Sequence, residues 1–338
     1  MAKGVVVTGS AGYIGRWLIP ELKTKGYHVV GIDRQLSQHD PGLDEFIRMD
    51  FNDENRLETV LKSAKIVFHL AASKDDFGIS DAQYFRDNVE ATRSLIRAGK
   101  NCGIKYWVFY STVGVMGPST VPINERAVFA PTNAYGASKA EAEKLFHQLV
   151  QDDEQNQVLI IRPSVVYGID NYPTTNIYRL IDAIYRNRFI MIGDGLVHKS
   201  TSYIENLIDA TLFLFERMRP GLQTYIYVDE PVLQTVELVQ KIYEFLHMPP
   251  KQWRLPLWLA KCLASAFDFA GTVSGVNFDI TANRIEKFCT ATNFDASAIR
   301  QLGFRQPVSN EEALKKTIHW HLHTQFPKSY PANDFHRD

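Results

Sequence analysis

The chain has 338 residues, 45% of them hydrophobic and 12% aromatic, with 37 basic against 38 acidic side chains and a net charge of −1. That length fits one large domain or two joined ones with a sizeable core, and it excludes disordered, collagenous and disulfide-stapled classes. The balanced charge gives no global pull toward nucleic acid or anionic lipid.

Three well-separated cysteines, Cys102, Cys262 and Cys289, imply reduced thiols and a cytoplasmic setting. The opening MAKGVVVTGS is too short in its apolar run for a signal peptide. The apolar stretch 255–271 contains Lys261 and Asp268 and falls short of the roughly 20 residues of a spanning helix, so a soluble chain without a transmembrane segment is expected. No metal site is expected.

In chain order, the pattern predicts a buried strand at Gly4–Thr8, a helix over Ile14–Lys25 closed by Gly26, and strands at His28–Ile32 and Phe46–Met49. A helix over Glu54–Ser63, a strand at Ile66–Leu70, a helix over Tyr84–Cys102 and a strand at Tyr106–Tyr110 follow. Next come a helix over Ala134–Asp152 and a strand at Val158–Ile161. Strands alternating with helices of this length must pair in parallel, because each crossover returns to the same edge; the class is α/β, doubly wound. After Pro163 glycines and prolines break the rhythm, and helices are expected at Ile177–Asn187, Asn206–Met218 and Val236–Leu246, with a strand at Thr224–Val228. The tail His323–Asp338 reads as flexible.

Between the first strand and first helix lies Thr8-Gly9-Ser10-Ala11-Gly12-Tyr13-Ile14-Gly15, with glycines spaced G-x-x-G-x-x-G. Gly9 permits the tight turn, Gly12 admits a pyrophosphate to the backbone N–H groups, and Gly15 lets the helix close on the strand. Asp33 ends the second strand, where a carboxylate accepts hydrogen bonds from ribose hydroxyls and repels a 2′-phosphate. NAD is therefore expected ahead of NADP, although the adjacent Arg34 could pair with that phosphate. Tyr135-Gly136-Ala137-Ser138-Lys139 puts a phenol and an amine at i and i+4 on one helix face. The ammonium and a nicotinamide cation are together expected to draw the phenol's pKa down from its usual 10, so that Tyr135 can take a proton from an alcohol.

With these motifs the chain resembles the extended short-chain dehydrogenase/reductase superfamily, the NAD-dependent epimerase/dehydratase family. The likeness runs through TGSAGYIG at 8–15, MDFND at 49–53, HLAA at 69–72, NVEAT at 88–92 and YSTVGVMG at 110–117. It continues through PTNAYGASKAEAEKL at 131–145, RPSVVYG at 162–168, GDG at 193–195, YIENLIDA at 203–210 and LGFRQPVSNEEALKKTIHW at 302–320. The resemblance implies a Rossmann domain, 1–168 with about 202–230, and a smaller substrate lobe from about 169–201 and 231–322. It implies that Gly9, Ala11, Gly12, Tyr13, Ile14, Gly15, Asp33 and Arg34 hold the cofactor. Asp50 and Phe51 would cradle adenine, Leu70, Ala71 and Ala72 would line the cofactor, and Asn88, Ser111 and Pro163 would support it. Thr112 would hydrogen-bond the reacting oxygen, Tyr135 would be the acid/base, and Lys139 would also bind the nicotinamide ribose. The family's habit of dimerising through a four-helix bundle implies a homodimer built on the Tyr84–Cys102 and Ala134–Asp152 helices.

Where 4,6-dehydratases of that family follow the catalytic threonine with an Asp-Glu pair, this chain has Val113 and Gly114, which argues against water elimination. Val165 and Thr201 stand where nucleotide-sugar members usually carry Asn and Arg, so Lys199, His198 or Arg284 would have to supply a cation to a diphosphate. The main reading is an NAD-dependent oxidoreductase or epimerase acting on a secondary alcohol of a sugar, nucleotide-linked. The apolar Leu255–Ala264 resembles an insertion of 3β-hydroxysteroid dehydrogenase-like relatives, which gives a second reading; a lobe helix packed on the core or on a partner subunit explains the same pattern. A non-catalytic NAD-binding regulatory protein is the third.

Overall fold

The structure is a computed structural model that describes residues 3–36, 42–51, 53–74, 78–172, 175–251, 253–262 and 282–325. Seven parallel strands form its central sheet: β1 (Gly4–Thr8), β2 (His28–Asp33), β3 (Glu45–Arg48), β4 (Ala64–His69), β5 (Tyr106–Tyr110), β7 (Gln157–Pro163) and β12 (Gly221–Tyr227). The spatial order is β12-β7-β5-β4-β1-β2-β3. The doubly wound Rossmann-like class expected from the alternation is thus what the chain adopts.

Alternation within each strand explains the layers. Val5 and Val7 point into one apolar cluster with Leu18, Ile19 and Leu22 of helix α1 (Tyr13–Thr24). Val6 points into the other, with Leu57 and Leu61 of α2 (Glu54–Leu61) and Leu95 of α4 (Ala91–Asn101). Both faces are covered, as a parallel sheet requires. Gly99 of α4 lets the helix sit on Trp107, since a Cβ there would come 2.2 Å from the indole.

The helix ahead of β5 differs from expectation. The helix expected from Tyr84 starts earlier, as α3 (Asp81–Phe85), because Ser80 caps it by accepting from Gln83 N–H at 3.3 Å. It then widens into a π-helical turn over Arg86–Glu90 before continuing as α4. Helix α5 (Ala134–Asp152) has the expected bounds, with Asn133 Oδ1 accepting from Gly136 N–H at 2.8 Å.

Outside the central sheet the strands are short. They are β8 (Val165–Tyr167) beside β11 (Thr201–Tyr203), β9 (Met191–Ile192) beside β14 (Arg254–Leu255), and a four-stranded sheet β13-β10-β15-β6. That last sheet joins β6 (Ser119–Ile123), β10 (His198–Lys199), β13 (Leu233–Gln234) and β15 (Thr292–Phe294). The helices in this half of the chain include α6 (Asn176–Tyr185), α7 (Ile204–Phe215) and α8 (Thr235–Phe245). A terminal helix, Asn310–Gln325, buries Leu314, Ile318 and Leu322 in the same cluster as Val5 and Val7. The tail expected to begin at His323 therefore stays helical to Gln325, and 326–338 lie outside the described residues.

Candidate active site

The strand order fixes where a ligand can sit. From β1 the chain moves outward through β2 and β3, then returns to place β4 on the other side of β1. The helices flanking such a reversal diverge and leave a crevice at the carboxyl ends of the strands. The Gly9 turn follows β1, Leu70–Ala72 follow β4, Ser111 and Thr112 follow β5, and Pro163 ends β7. One sheet edge thus collects most of the expected residues.

The glycine turn is held by close backbone contacts. Gly9 has φ +70°, and a Cβ on it would stand 2.7 Å from Ala71 N. A Cβ on Gly15 would stand 2.7 Å from Gly9 O, so the first turn of α1 closes directly on the loop. Asp33 braces the turn from β2, its Oδ2 accepting from Ala11 N–H at 3.0 Å and its Oδ1 from Gln35 N–H at 3.0 Å. Tyr13 also ties the turn to a distant segment. Its hydroxyl donates to Ile169 O at 2.8 Å and ties α1 to the segment after β8.

Beside the turn, a small cavity is lined by Arg34, Asp50, Phe51, Ala71, Ala72 and Asp87. Asp50 and Phe51 are the residues expected to cradle adenine, Ala71 and Ala72 are expected to line the cofactor, and Arg34 is the residue that could pair with a 2′-phosphate. Asp87 was missed. Its carboxylate accepts from Arg34 at 3.0 Å and from Ser73 Oγ at 2.7 Å, while Arg34 also donates to Ser73 Oγ at 3.1 Å. Burial pushes the Asp87 carboxyl up, but the hydrogen bonds from Ser73 and Arg34 outweigh it and leave the pKa below its ordinary value. Position 87, just ahead of the quoted NVEAT segment, was the signal available.

Asn88 sits on the π turn, 2% exposed, with both ends of its amide used. Its Nδ2 donates to Ser73 O at 3.0 Å and to Ser138 Oγ at 2.9 Å, and its Oδ1 accepts from Ser73 N–H at 2.7 Å. Ser138 donates in turn to Tyr135 O at 2.8 Å, so Asn88 locks the helical turn that carries the phenol. His69, buried between Thr8 Oγ1 at 2.7 Å and Thr92 Oγ1 at 2.8 Å, links the glycine turn to α4. Burial, aided by the Lys139 charge, pushes its pKa down to about 3, so the ring is neutral.

Thr112 opens a 3-10 turn, its Oγ1 accepting from Gly114 N–H at 3.1 Å and leaving its O–H free to donate elsewhere. A Cβ on Gly136 would lie 2.6 Å from Gly114 O, so α5 begins in contact with that turn. Ser111 Oγ is buried and has no hydrogen-bond partner. Tyr135 is half-buried, its ring 6.1 Å from that of Tyr84. Burial, then the Tyr84 phenol, pushes its pKa up to about 12. The expected lowering by Lys139 is not seen, because the amine points elsewhere. Its Nζ lies over the Phe109 ring, 4.0 Å from the centroid, and burial pushes its pKa down to about 7. Glu143, one turn further along α5, is committed to Arg162 of β7 through contacts of 3.0 and 2.7 Å and only partly offsets that burial.

The other candidates lie farther along the chain. Lys199, on β10, donates to Thr290 O and is held by burial at about 8. His198 precedes it on the same strand. Arg284 belongs to the helix Ala282–Cys289, but its side chain lies outside the described residues, as do 263–271 of the apolar stretch.

Residues 5–228 match the NAD dependent epimerase/dehydratase family. The chain belongs to that family. Among its relatives, the N-acetyl-alpha-D-glucosaminyl-diphospho-ditrans,octacis-undecaprenol 4-epimerase of Escherichia coli O157:H7 is 28% identical over 321 residues, 95% of this chain and 96% of its own. The dTDP-D-glucose 4,6-dehydratase of Mus musculus is 26% identical over 337 residues, 95% of this chain and 89% of its own. Among solved structures, MoeE5 in complex with UDP-glucose and NAD superposes with a TM-score of 0.74 at 26% identity, covering 95% of this chain and 99% of its own. The orphaned Ser111 hydroxyl, the glycine turn and the Asp50–Ala72 cavity fit the dinucleotide that this family uses.

Proposed function

We propose that this protein is an NAD-dependent oxidoreductase or 4-epimerase acting on a secondary alcohol of a diphosphate-linked, in the first instance nucleotide-linked, sugar. What carries the reading is the contact between the Thr112 turn and the Tyr135 turn at the end of β5, alongside the glycine turn. NAD, when bound, supplies the hydride acceptor that can also return the hydride. Thr112 would donate to the reacting oxygen, and Tyr135 would take its proton and later give it back. The phenol at about 12 and the amine at about 7 are displaced in opposite directions, as in many acid/base pairs. Both displacements come mainly from burial, and Lys139 turning from Phe109 toward Tyr135 would relax both.

The reading of NAD ahead of NADP is supported at the adenosine end: Asp33 at the end of β2 would meet ribose hydroxyls, and Arg34 is engaged by Asp87 and Ser73. Val113 and Gly114 after Thr112 supply no acid or base for eliminating water, although dehydratases are among the relatives. The division into a cofactor part, 1–168 with about 202–230, and a substrate lobe belongs to the same proposal.

The test is a panel of UDP-, dTDP- and polyprenyl-diphosphate-linked sugars with NAD, followed by proton NMR for the C4 epimer and by absorbance for NADH. Epimer formation from a diphosphate-linked sugar is the expected result. Silence across the panel together with NADH production from sterols would transfer the assignment to the 3β-hydroxysteroid dehydrogenase-like reading.

A further inference from the structure

The proposed chemistry makes no use of the buried ion pair at the end of β7. Arg162, just ahead of Pro163, donates from Nε to Glu143 Oε1 at 3.0 Å and from Nη2 to Glu143 Oε2 at 2.7 Å. This two-pronged contact is out of water, the side chains being 4% and 0% exposed. Glu143 stands four residues beyond Lys139 and eight beyond Tyr135, so the three share one face of α5. Arg162 also reaches past the carboxylate. Its Nη1 donates to Met116 Sδ at 3.4 Å and to Glu125 O at 3.2 Å, and its guanidinium lies 5.4 Å from the centroid of the Phe129 ring.

These contacts converge on the Thr112 turn. Met116 closes the 3-10 turn that Thr112 opens. The loop carrying Glu125 and Phe129 returns to the same turn, where Ala130 N–H donates to Val115 O at 2.9 Å. The Glu125 carboxylate fastens that loop to β12 by accepting from Ile226 N–H at 2.8 Å. One guanidinium therefore joins β7, the helix that bears Tyr135 and Lys139, and the turn that bears Thr112. Stability does not account for the pair: two buried charges lose hydration that their attraction roughly offsets, and apolar residues of similar volume often serve as well or better. What a planar guanidinium adds is direction, because it meets a carboxylate at fixed angles where apolar side chains slide. The segments it joins are those whose relative placement decides whether Thr112 and Tyr135 meet one oxygen, and a misplacement of about 1 Å there costs about 10²-fold in rate.

We infer that Arg162 and Glu143 are positioning residues, which fix the Thr112 turn against the Tyr135–Lys139 face of α5. They act through those three side chains and not on the reactants. The inference rests on the proposed reading of Thr112, Tyr135 and Lys139 as the acting groups.

The double variant Arg162→Met/Glu143→Leu tests it by removing both charges at similar volume. In denaturant it should unfold no earlier than the wild type, and it should bind NAD as tightly by fluorescence titration. On a sugar that the wild type turns over, kcat should fall by about 10- to 100-fold with little change in KM. Amide hydrogen exchange over 112–117, measured without substrate, should quicken at least about tenfold while that of β1 and β2 stays the same. Arg162→Lys keeps the charge and loses the fork. It carries the same measurements if the double variant does not fold, with kcat expected to fall about tenfold. A folded variant with unchanged kcat would overturn the inference, as would a fall in kcat matched by an equal loss of NAD affinity or unaccompanied by faster exchange over 112–117. If the wild type turns over none of the sugars, the proposed reaction fails on its own account. Exchange then decides whether the pair holds the turn, faster exchange in the variant supporting it and unchanged exchange refuting it.

Discussion

The two ends of the proposed dinucleotide site are prepared in opposite ways. At the adenosine end most of the polar side chains are paired: Asp33 holds Ala11 N–H, and Asp87 accepts from Arg34, Arg86 and Ser73, although Ser10 Oγ in the glycine turn is buried without a partner. At the catalytic end they are not: the Ser111 hydroxyl is buried without a partner, Lys139 is left over an aromatic ring, and the Tyr135 phenol is pushed up by burial. Unsatisfied buried groups cost free energy, and they persist where a ligand is to satisfy them. The first end is a rigid seat, whereas the second becomes complete only when occupied.

Replacing a catalytic group without disturbing the seat should break the contrast most sharply. Tyr135→Phe is expected to lower kcat by about 10²–10⁴ while NAD affinity, read by fluorescence titration, changes little. If turnover survives, the phenol is not the acid/base. Damage to the seat should show the reverse emphasis. Gly9→Ala places a methyl against Ala71 N in a backbone at φ +70°, and should weaken NAD at least about tenfold and destabilise the fold by roughly 1–3 kcal/mol. Unchanged NAD binding would mean the turn does not carry the pyrophosphate.

Lys139 allows the strain at the catalytic end to be measured. Its amine, at about 7 when folded against an ordinary 10.5, gives up a proton that the unfolded chain retains between those values. Stability of the cofactor-free protein should therefore rise as pH increases through that window, with the full destabilisation present below it. Lys139→Met should abolish this slope and stabilise the protein at pH 7 by roughly 2–4 kcal/mol in denaturant melts. A variant no more stable than the wild type would show that the amine is not strained. The smallest effect is expected at the seat's rim. Asp87→Asn loosens Arg34, and the ratio of kcat/KM for NADP over NAD should rise about five- to tenfold; no shift would detach Arg34 from cofactor choice.

What the sequence disclosed depended on length and locality. Gly4–Thr8, Tyr106–Tyr110 and Ala134–Asp152 keep their expected bounds because each is a run whose period and end signals lie within the run itself. The glycine turn and the strand-end position of Asp33 were legible for the same reason, since each lies at the end of a local run, whereas Asp50 and Phe51 were singled out by the family resemblance. The two- and three-residue strands β8 to β11 were not legible, because such lengths leave no periodicity and their partners lie far away in sequence. Nor was the Arg34–Ser73–Asp87 set, whose members come from three separate crossovers. The rotamer of Lys139 was not legible, because i and i+4 spacing gives a shared face but not a side-chain direction. In the folded chain the amine turns inward to Phe109.

Determining the crystal structure with NAD bound bears most directly on the proposed site. Lys139 should leave the Phe109 ring and hydrogen-bond the nicotinamide ribose, and Tyr135 should stand at the nicotinamide beside Thr112. A bound dinucleotide with Lys139 still over Phe109, or with its nicotinamide turned away from Tyr135, would contradict this arrangement.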